Sequence, residues 1–319
     1  MILSGYNKFL FSIFSEKNDY LILTVYILKL GKSYISFLQI HYSKTDSSGK
    51  YLPSFVFRTR LKVIDSSDRD IIFSKGRIIF KDDSVKVEFS SDLVMIYLNY
   101  AWDATGSSPL AVLGKEVTRK DIVTWNSFDF RSFVKGSLIT PNINADFTEV
   151  PGNIDLVKTS RLRLKTPVRG LLWSRLHHQD IGLSYSTIFD RSKKSDSVLY
   201  LSFDKQVIEF SDVDYRGSNE KISRRSSIKY PSDILLTAKN DTYQVSVSIH
   251  DHSEVNINEL VNNIDFTGKL LRGYYTRLHG NPKELRLLAK ADVILSNNST
   301  RTEIHDIDSI SEYIGFSSR

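Results

Sequence analysis

The chain has 319 residues, 41% of them hydrophobic and 25% charged, which excludes a disordered tail and leaves room for one large domain or two of ordinary size. It has no cysteine, which excludes disulfides, thiolate metal sites, iron–sulfur clusters and cysteine nucleophiles. The formal net charge of +6 is modest for this length, and no zinc-finger spacing, RNP aromatic motif or helix-turn-helix accompanies it, so no nucleic-acid partner is expected.

The N-terminal stretch is apolar, but Lys8, Glu16, Lys17, Asp19 and Lys29 interrupt it. No run reaches the roughly 18 to 20 residues of a spanning helix, and no signal-peptide pattern is clear. The expectation is a cytoplasmic protein, with peripheral contact to a membrane surface as the alternative. The two runs Tyr20–Leu30 and Ser33–Tyr42, joined by Gly31 and Lys32, alternate apolar and polar residues and are rich in β-branched and aromatic side chains. That is a hairpin signal. Similar runs recur at short intervals to Leu285–Leu295, in keeping with 16 Tyr and 18 Phe, and many short strands divided by polar turns predict antiparallel sandwiches or barrels. Helix is predicted only over Asn256–Asn263 and Glu303–Ile314. No βαβ alternation, dinucleotide-binding glycine pattern or P-loop occurs.

The segment from Thr140 to Asn153 holds two prolines, a glycine and three asparagines, the composition of a linker. It predicts an N-terminal domain over 1–145 and a C-terminal domain over 146–319. Each half opens with an apolar hairpin and holds roughly eight candidate strands, about the number that closes a barrel around a small ligand. The predicted fold is all-β, two antiparallel barrels in tandem with few short helices.

The stretch GLLWSRLHHQDIGLSYSTIF, Gly170 to Phe189, places a polar knot between two alternating runs. His177, His178 and Asp180 are candidate catalytic residues, because an Asp–His pair moves protons near neutral pH. The same residues are also ordinary turn chemistry. His250 and His252 lie two apart at the end of a strand, a spacing that puts both on one face as ligands to a divalent ion, with His279 or Glu254 as a third. The apolar register of Val245, Val247 and Ile249 turns that face toward solvent, so no metal is assigned. Trp102, Trp125, Trp173, Tyr185, Tyr274 and Tyr275 are candidate ligand-binding aromatics or core fillers. No Gly-x-Ser-x-Gly elbow appears.

Two segments carry a family resemblance. FRSFVKGSL, Phe130 to Leu138, resembles the closing strand of a first barrel, and Arg169 to Tyr185 resembles a second-barrel hairpin in which a Gly and a Trp lead into a polar turn. In layout the chain resembles the bipartite lipocalin-like (calycin) proteins that include hydroxyneurosporene synthase, a carotenoid hydratase. The stretch Asn153 to Arg161 departs from that family in lacking its His- and Trp-containing segment, and an N-terminal Trp pair is missing. The resemblance implies two lipocalin-like β-barrels. It also implies a hydrophobic small molecule as partner, an isoprenoid or other lipid. Acidic side chains inside the barrel would act on an isoprenoid double bond, with no metal or organic cofactor.

Three readings of function follow: binding of a lipophilic small molecule in a barrel pocket; an isoprenoid hydratase, isomerase or cyclase using acid–base side chains; and a non-enzymatic interaction or carbohydrate-binding β-sandwich. Oligomeric state is not encoded in any motif.

Overall fold

The computed structural model describes residues 6–14, 19–30, 32–44, 55–67, 69–101, 123–159, 168–178, 181–190, 195–203, 206–223, 228–259 and 283–315. Among them every regular element is a strand. The chain divides into two compact units, Met1–Leu162 and Arg163–Arg319.

The first unit contains β1 (Tyr6–Phe14), β2 (Tyr20–Leu30), β3 (Ser33–Ser43), β4 (Phe55–Leu61), β5 (Val63–Ser66), β6 (Asp70–Phe73), β7 (Gly76–Phe80), β8 (Ser84–Ser90), β9 (Met95–Ala101), β10 (Val123–Thr140) and β11 (Ile143–Thr159). They form an 11-stranded antiparallel sheet in the order β4-β3-β2-β1-β11-β10-β9-β8-β7-β6-β5. The first strand pairs with the last, Phe9 opposite Leu156. The two sheet ends, β4 and β5, are consecutive in the chain and separated only by Lys62. Read around the circle, the sheet is an up-and-down barrel with a single seam, the arrangement that leaves least strand edge exposed.

Ring contacts across the interior confirm the curl. Phe9 on β1 lies 6.0 Å from Phe80 on β7, and Phe11 lies 5.7 Å from Tyr100 on β9. Alternate residues point inward, as the period of two dictates. Phe9, Phe11 and Ile13 of β1, with Leu21, Leu23 and Val25 of β2, belong to one buried apolar cluster.

The second unit contains β12 (Val168–His177), β13 (Ile181–Asp190), β14 (Ser195–Phe203), β15 (Gln206–Phe210), β16 (Val213–Ile222), β17 (Lys229–Lys239), β18 (Gln244–Glu259), β19 (Lys283–Ser296) and β20 (Arg301–Gly315). Its 9-stranded sheet runs β15-β14-β13-β12-β20-β19-β18-β17-β16. Again the first and last strands pair, Trp173 opposite Glu312, and again the two edge strands, β15 and β16, are consecutive. Tyr185 on β13 reaches Tyr215 on β16 at 6.3 Å, so this sheet also curls upon itself. The all-β, two-barrel expectation agrees with these sheets.

Three sequence expectations are corrected. The Pro-, Gly- and Asn-rich segment Thr140–Asn153 is the tight turn between β10 and β11 followed by the first part of β11, which pairs along β10 from Ile143 onward. Its breaker composition serves a bulge rather than a linker: Glu149 has a left-handed φ of 56°, and the β10–β11 register shifts beside it. Glu303–Ile314 is not a helix but the body of β20. Ile304 and Ile307 are three apart, a helical spacing, yet both pack on the barrel interior. The extra residue is absorbed by a bulge at Asp306, φ 57°, where Ala291 faces Ile307 and Val293 faces Ile304. Asn256–Glu259 likewise belongs to β18, and the rest of that predicted helix lies outside the described residues.

Candidate functional site

The two barrel interiors differ in chemistry. The first is filled by Phe, Leu, Ile and Val. Its Tyr100 is fully buried, and burial holds the phenol well above its ordinary value. Tyr42 donates to Asp19 at 3.2 Å; burial, then that carboxylate, push its phenol up to about 12.

The second interior carries a ladder of tyrosines. Registers fix which residues share the inner face. Leu172, Ser174 and Leu176 of β12 stand opposite Thr187, Tyr185 and Leu183 of β13, and opposite Tyr313, Ser311 and Ser309 of β20. Tyr185 stacks on Tyr215 at an interplanar angle of 6°. Tyr313 meets Tyr230 at 6.1 Å, and Tyr230 meets the edge of His252 at 6.5 Å. Ser174 and Ser311 bond each other at 2.7 Å, as do Thr187 and Ser197 at 2.8 Å.

The Oη of Tyr185 lies close to Thr187 and Ser197, and the Oη of Tyr313 close to Tyr215, but neither meets its neighbour in full hydrogen-bond geometry. The Oγ of Ser309 and the Nε2 of His252 are buried and unpartnered. Burial raises the phenols of Tyr185, Tyr215, Tyr230 and Tyr313, the third with help from Glu254. They are therefore neutral donors at physiological pH.

Glu254 is the carboxylate of this interior. Ser223 Oγ donates to its Oε2 at 3.0 Å, and Tyr230 Oη donates to its Oε1 at 3.4 Å. Glu254 and His252 both face inward because of a bulge. Ile249 opposes Ala291 and points in, His250 opposes Lys290 and points out, and the register then shifts before Ser253 opposes Leu288. Asp251, φ 55°, is the inserted residue. It rephases the strand so that His252 turns in.

The expectation that His250 and His252 share one face is thereby corrected. His250 and His252 lie on opposite faces. His250 bonds Asp251 at 3.0 Å and Asp292 at 3.1 Å on the outside. His279 lies outside the described residues, and no group of three His, Asp or Glu side chains suited to a metal ion occurs among the described residues.

His177 ends β12, opposite Gly182 and Asp308, and His178 follows it, half-buried. Asp180, Trp102, Tyr274 and Tyr275 lie outside the described residues. Trp125 is on β10, opposite Val157. Trp173 is 1% exposed and faces away from Tyr185, on the outer side of the sheet. There its Nε1 donates to Glu312 at 3.4 Å, Arg286 Nε donates to the other oxygen of Glu312 at 2.5 Å, and Glu284 lies 3.8 Å from Arg286. All three charged residues are 0–1% exposed, and charges so buried persist only when paired.

Among the expected residues whose side chains are described, Tyr185 lines the tyrosine ladder. Tyr215, Tyr230 and Tyr313 were detectable in principle, as tyrosines at inward positions of alternating strands. His252 was not, because apolar alternation up to Ile249 gives the wrong face once Asp251 is inserted.

The described residues thus form two curled antiparallel sheets, the second enclosing an interior rich in tyrosine and hydroxyl side chains. No protein-family model matches the sequence, and no curated protein matches it. Solved structures match it at the level of fold. CghA, solved alone and with Sch210972, superposes with a TM-score of 0.65 at 9% identity, covering 98% of this chain and 88% of that one. An AttH-type protein (NE1406) of Nitrosomonas europaea gives 0.61 at 10% identity, covering 98% and 93%. Kievitone hydratase of Nectria haematococca gives 0.57 at 11% identity, covering 99% and 90%.

Proposed function

We propose that the C-terminal barrel binds a lipophilic small molecule, isoprenoid or lipid in character, that carries at least one oxygen. The observation behind this is a cluster of buried polar atoms that find no well-formed hydrogen bond on one interior, Tyr185 Oη, Tyr313 Oη, Ser309 Oγ and His252 Nε2, against Tyr100 Oη in the first barrel's core. Each costs about 1–3 kcal/mol if nothing pairs with it. A ligand whose body packs on the rings and whose oxygen meets the hydroxyls offsets that cost.

A second reading, an acid–base enzyme of the hydratase, isomerase or cyclase type, is favoured by Tyr230, Glu254 and His252 standing together in the same interior. The fold shared with a kievitone hydratase supports it as an analogy. Native mass spectrometry of the detergent-free protein tests the binding reading. The expected result is an adduct of a few hundred daltons, lost on solvent extraction and weakened in Tyr185→Phe. A bare chain mass from every preparation, with no adduct regained from a lipid extract, contradicts it.

A further inference from the structure

We propose that His252 Nε2 is the proton acceptor of the C-terminal barrel, and that the molecule it serves is an apolar compound with an enolisable carbonyl. The inference rests on the ligand site argued above and assigns the chemistry within it.

Three observations carry it. The Nδ1 of His252 lies 2.6 Å from the carbonyl oxygen of Ser232. A carbonyl only accepts, so Nδ1 bears the hydrogen and Nε2 bears the lone pair. That Nε2 is buried, with no partner. The Asp251 bulge turns the ring into the barrel, edge-on to Tyr230. A backbone carbonyl that fixes the tautomer, a bare nitrogen and a dry wall are what a general base requires. Burial pulls the imidazole below its ordinary value, which the Ser232 carbonyl and Asp233 only partly offset and which Lys221 and His250 reinforce. The ring is thus neutral and able to accept at neutral pH.

The step balances without a co-reactant. Nε2 takes a proton from the carbon beside the carbonyl, and the C–H electron pair moves into the new C–C double bond. The carbonyl π electrons move onto oxygen, which accepts a hydrogen bond from Tyr313 Oη. The imidazolium then returns the same proton to the far carbon of a conjugated system, shifting a double bond. Tyr313 is a suitable donor because it is buried and neutral, meets Tyr215 only in imperfect geometry, and packs against Tyr230, the neighbour of His252.

Two measurements test this. Long-range 1H–15N NMR on the intact chain should find His252 as the Nδ1–H tautomer; an Nε2–H tautomer overturns the proposal. The second incubates the chain with 2-tetralone, a flat apolar ketone with enolisable C–H bonds, in D2O and follows deuterium uptake beside the carbonyl by mass spectrometry. The wild type should exchange it faster than buffer alone, and His252→Gln should lose that gain at least tenfold. Undiminished exchange in His252→Gln overturns the base assignment and leaves the ligand site standing. Absence of 2-tetralone binding to the wild type instead contradicts the ligand site itself. The NMR measurement requires no variant, so a misfolded His252→Gln does not shelter the proposal.

Discussion

His250 and His252 stand two residues apart on β18 and face opposite sides of the barrel wall, because Asp251 between them adopts φ 55° and is left out of the ladder. A regular strand would put both on one side. This bulge turns an imidazole into the interior and leaves the other in a surface ion-pair cluster.

The left-handed conformation of Asp251 has a cost that depends on the side chain. Asp251→Gly is expected to change stability by no more than about 0.5 kcal/mol, the loss of its contact with His250 being offset by easier backbone geometry. Asp251→Val is expected to destabilise by about 1–3 kcal/mol, since a β-branched residue resists this region. Urea unfolding of the two variants, compared at equal m-value, checks the difference.

The two histidines give stability opposite pH dependences. Burial disfavours charge on His250, but Asp251 and Asp292 outweigh it and raise the imidazole. His250 therefore contributes stability that is fully present below the unfolded value near 6.5 and is lost as pH rises through the higher folded value. His252 is lowered by burial, so stability is lost as pH falls from 6.5 toward its folded value. Thermal melts at pH 5.5 and 8 should show His250→Gln destabilised chiefly at the lower pH. His252→Gln should remove part of the acid sensitivity. Asp292→Asn should act like His250→Gln, because Asp292 bonds His250 and His305 at 3.1 and 3.2 Å.

Gly136 sits in the β10–β11 bulge with φ 154°. A Cβ there would collide with the carbonyl oxygen of Tyr97 on β9, and backbone cannot yield as a flexible side chain does. Gly136→Ala is expected to cost about 1–3 kcal/mol, whereas Ser137→Ala on the neighbouring residue should fall within about 0.5 kcal/mol. Denaturant midpoints of the pair check this.

Phe9 is fully buried in the first barrel and touches Phe80 across it. Phe9→Ala should destabilise by about 3–5 kcal/mol. If its effect stays below about 1 kcal/mol, the interior of that barrel is not packed as described.

The barrels were legible in the sequence because inward and outward residues alternate along most strands, as in Val245, Val247 and Ile249. Alternation fails as a guide wherever a residue is inserted. Asp306 made Ile304 and Ile307 look helical, Asp251 hid the orientation of His252, and Glu149 with Pro151 and Gly152 made a bulged strand resemble a linker. The tyrosine ladder was only partly visible. Tyr185 stood out beside Trp173, but the pairing of β13 with β12 and the curl that brings Tyr215 against it are properties of the closed sheet. Trp173 and Tyr185 drew notice together, yet they belong to opposite faces of neighbouring strands.

On this account the imperfectly paired hydroxyls of Tyr185 and Tyr313 in the second barrel are kept for a ligand. The direct measurement is the unfolding free energy and ligand retention of the double variant Tyr185→Phe, Tyr313→Phe after solvent extraction. The account predicts that the extracted variant is as stable as extracted wild type, within about 0.5 kcal/mol, and retains the co-purifying molecule at least tenfold more weakly, about 1.4 kcal/mol. A loss of 2 kcal/mol or more in the extracted protein, with retention unchanged, would make those hydroxyls part of the scaffold and contradict the claim.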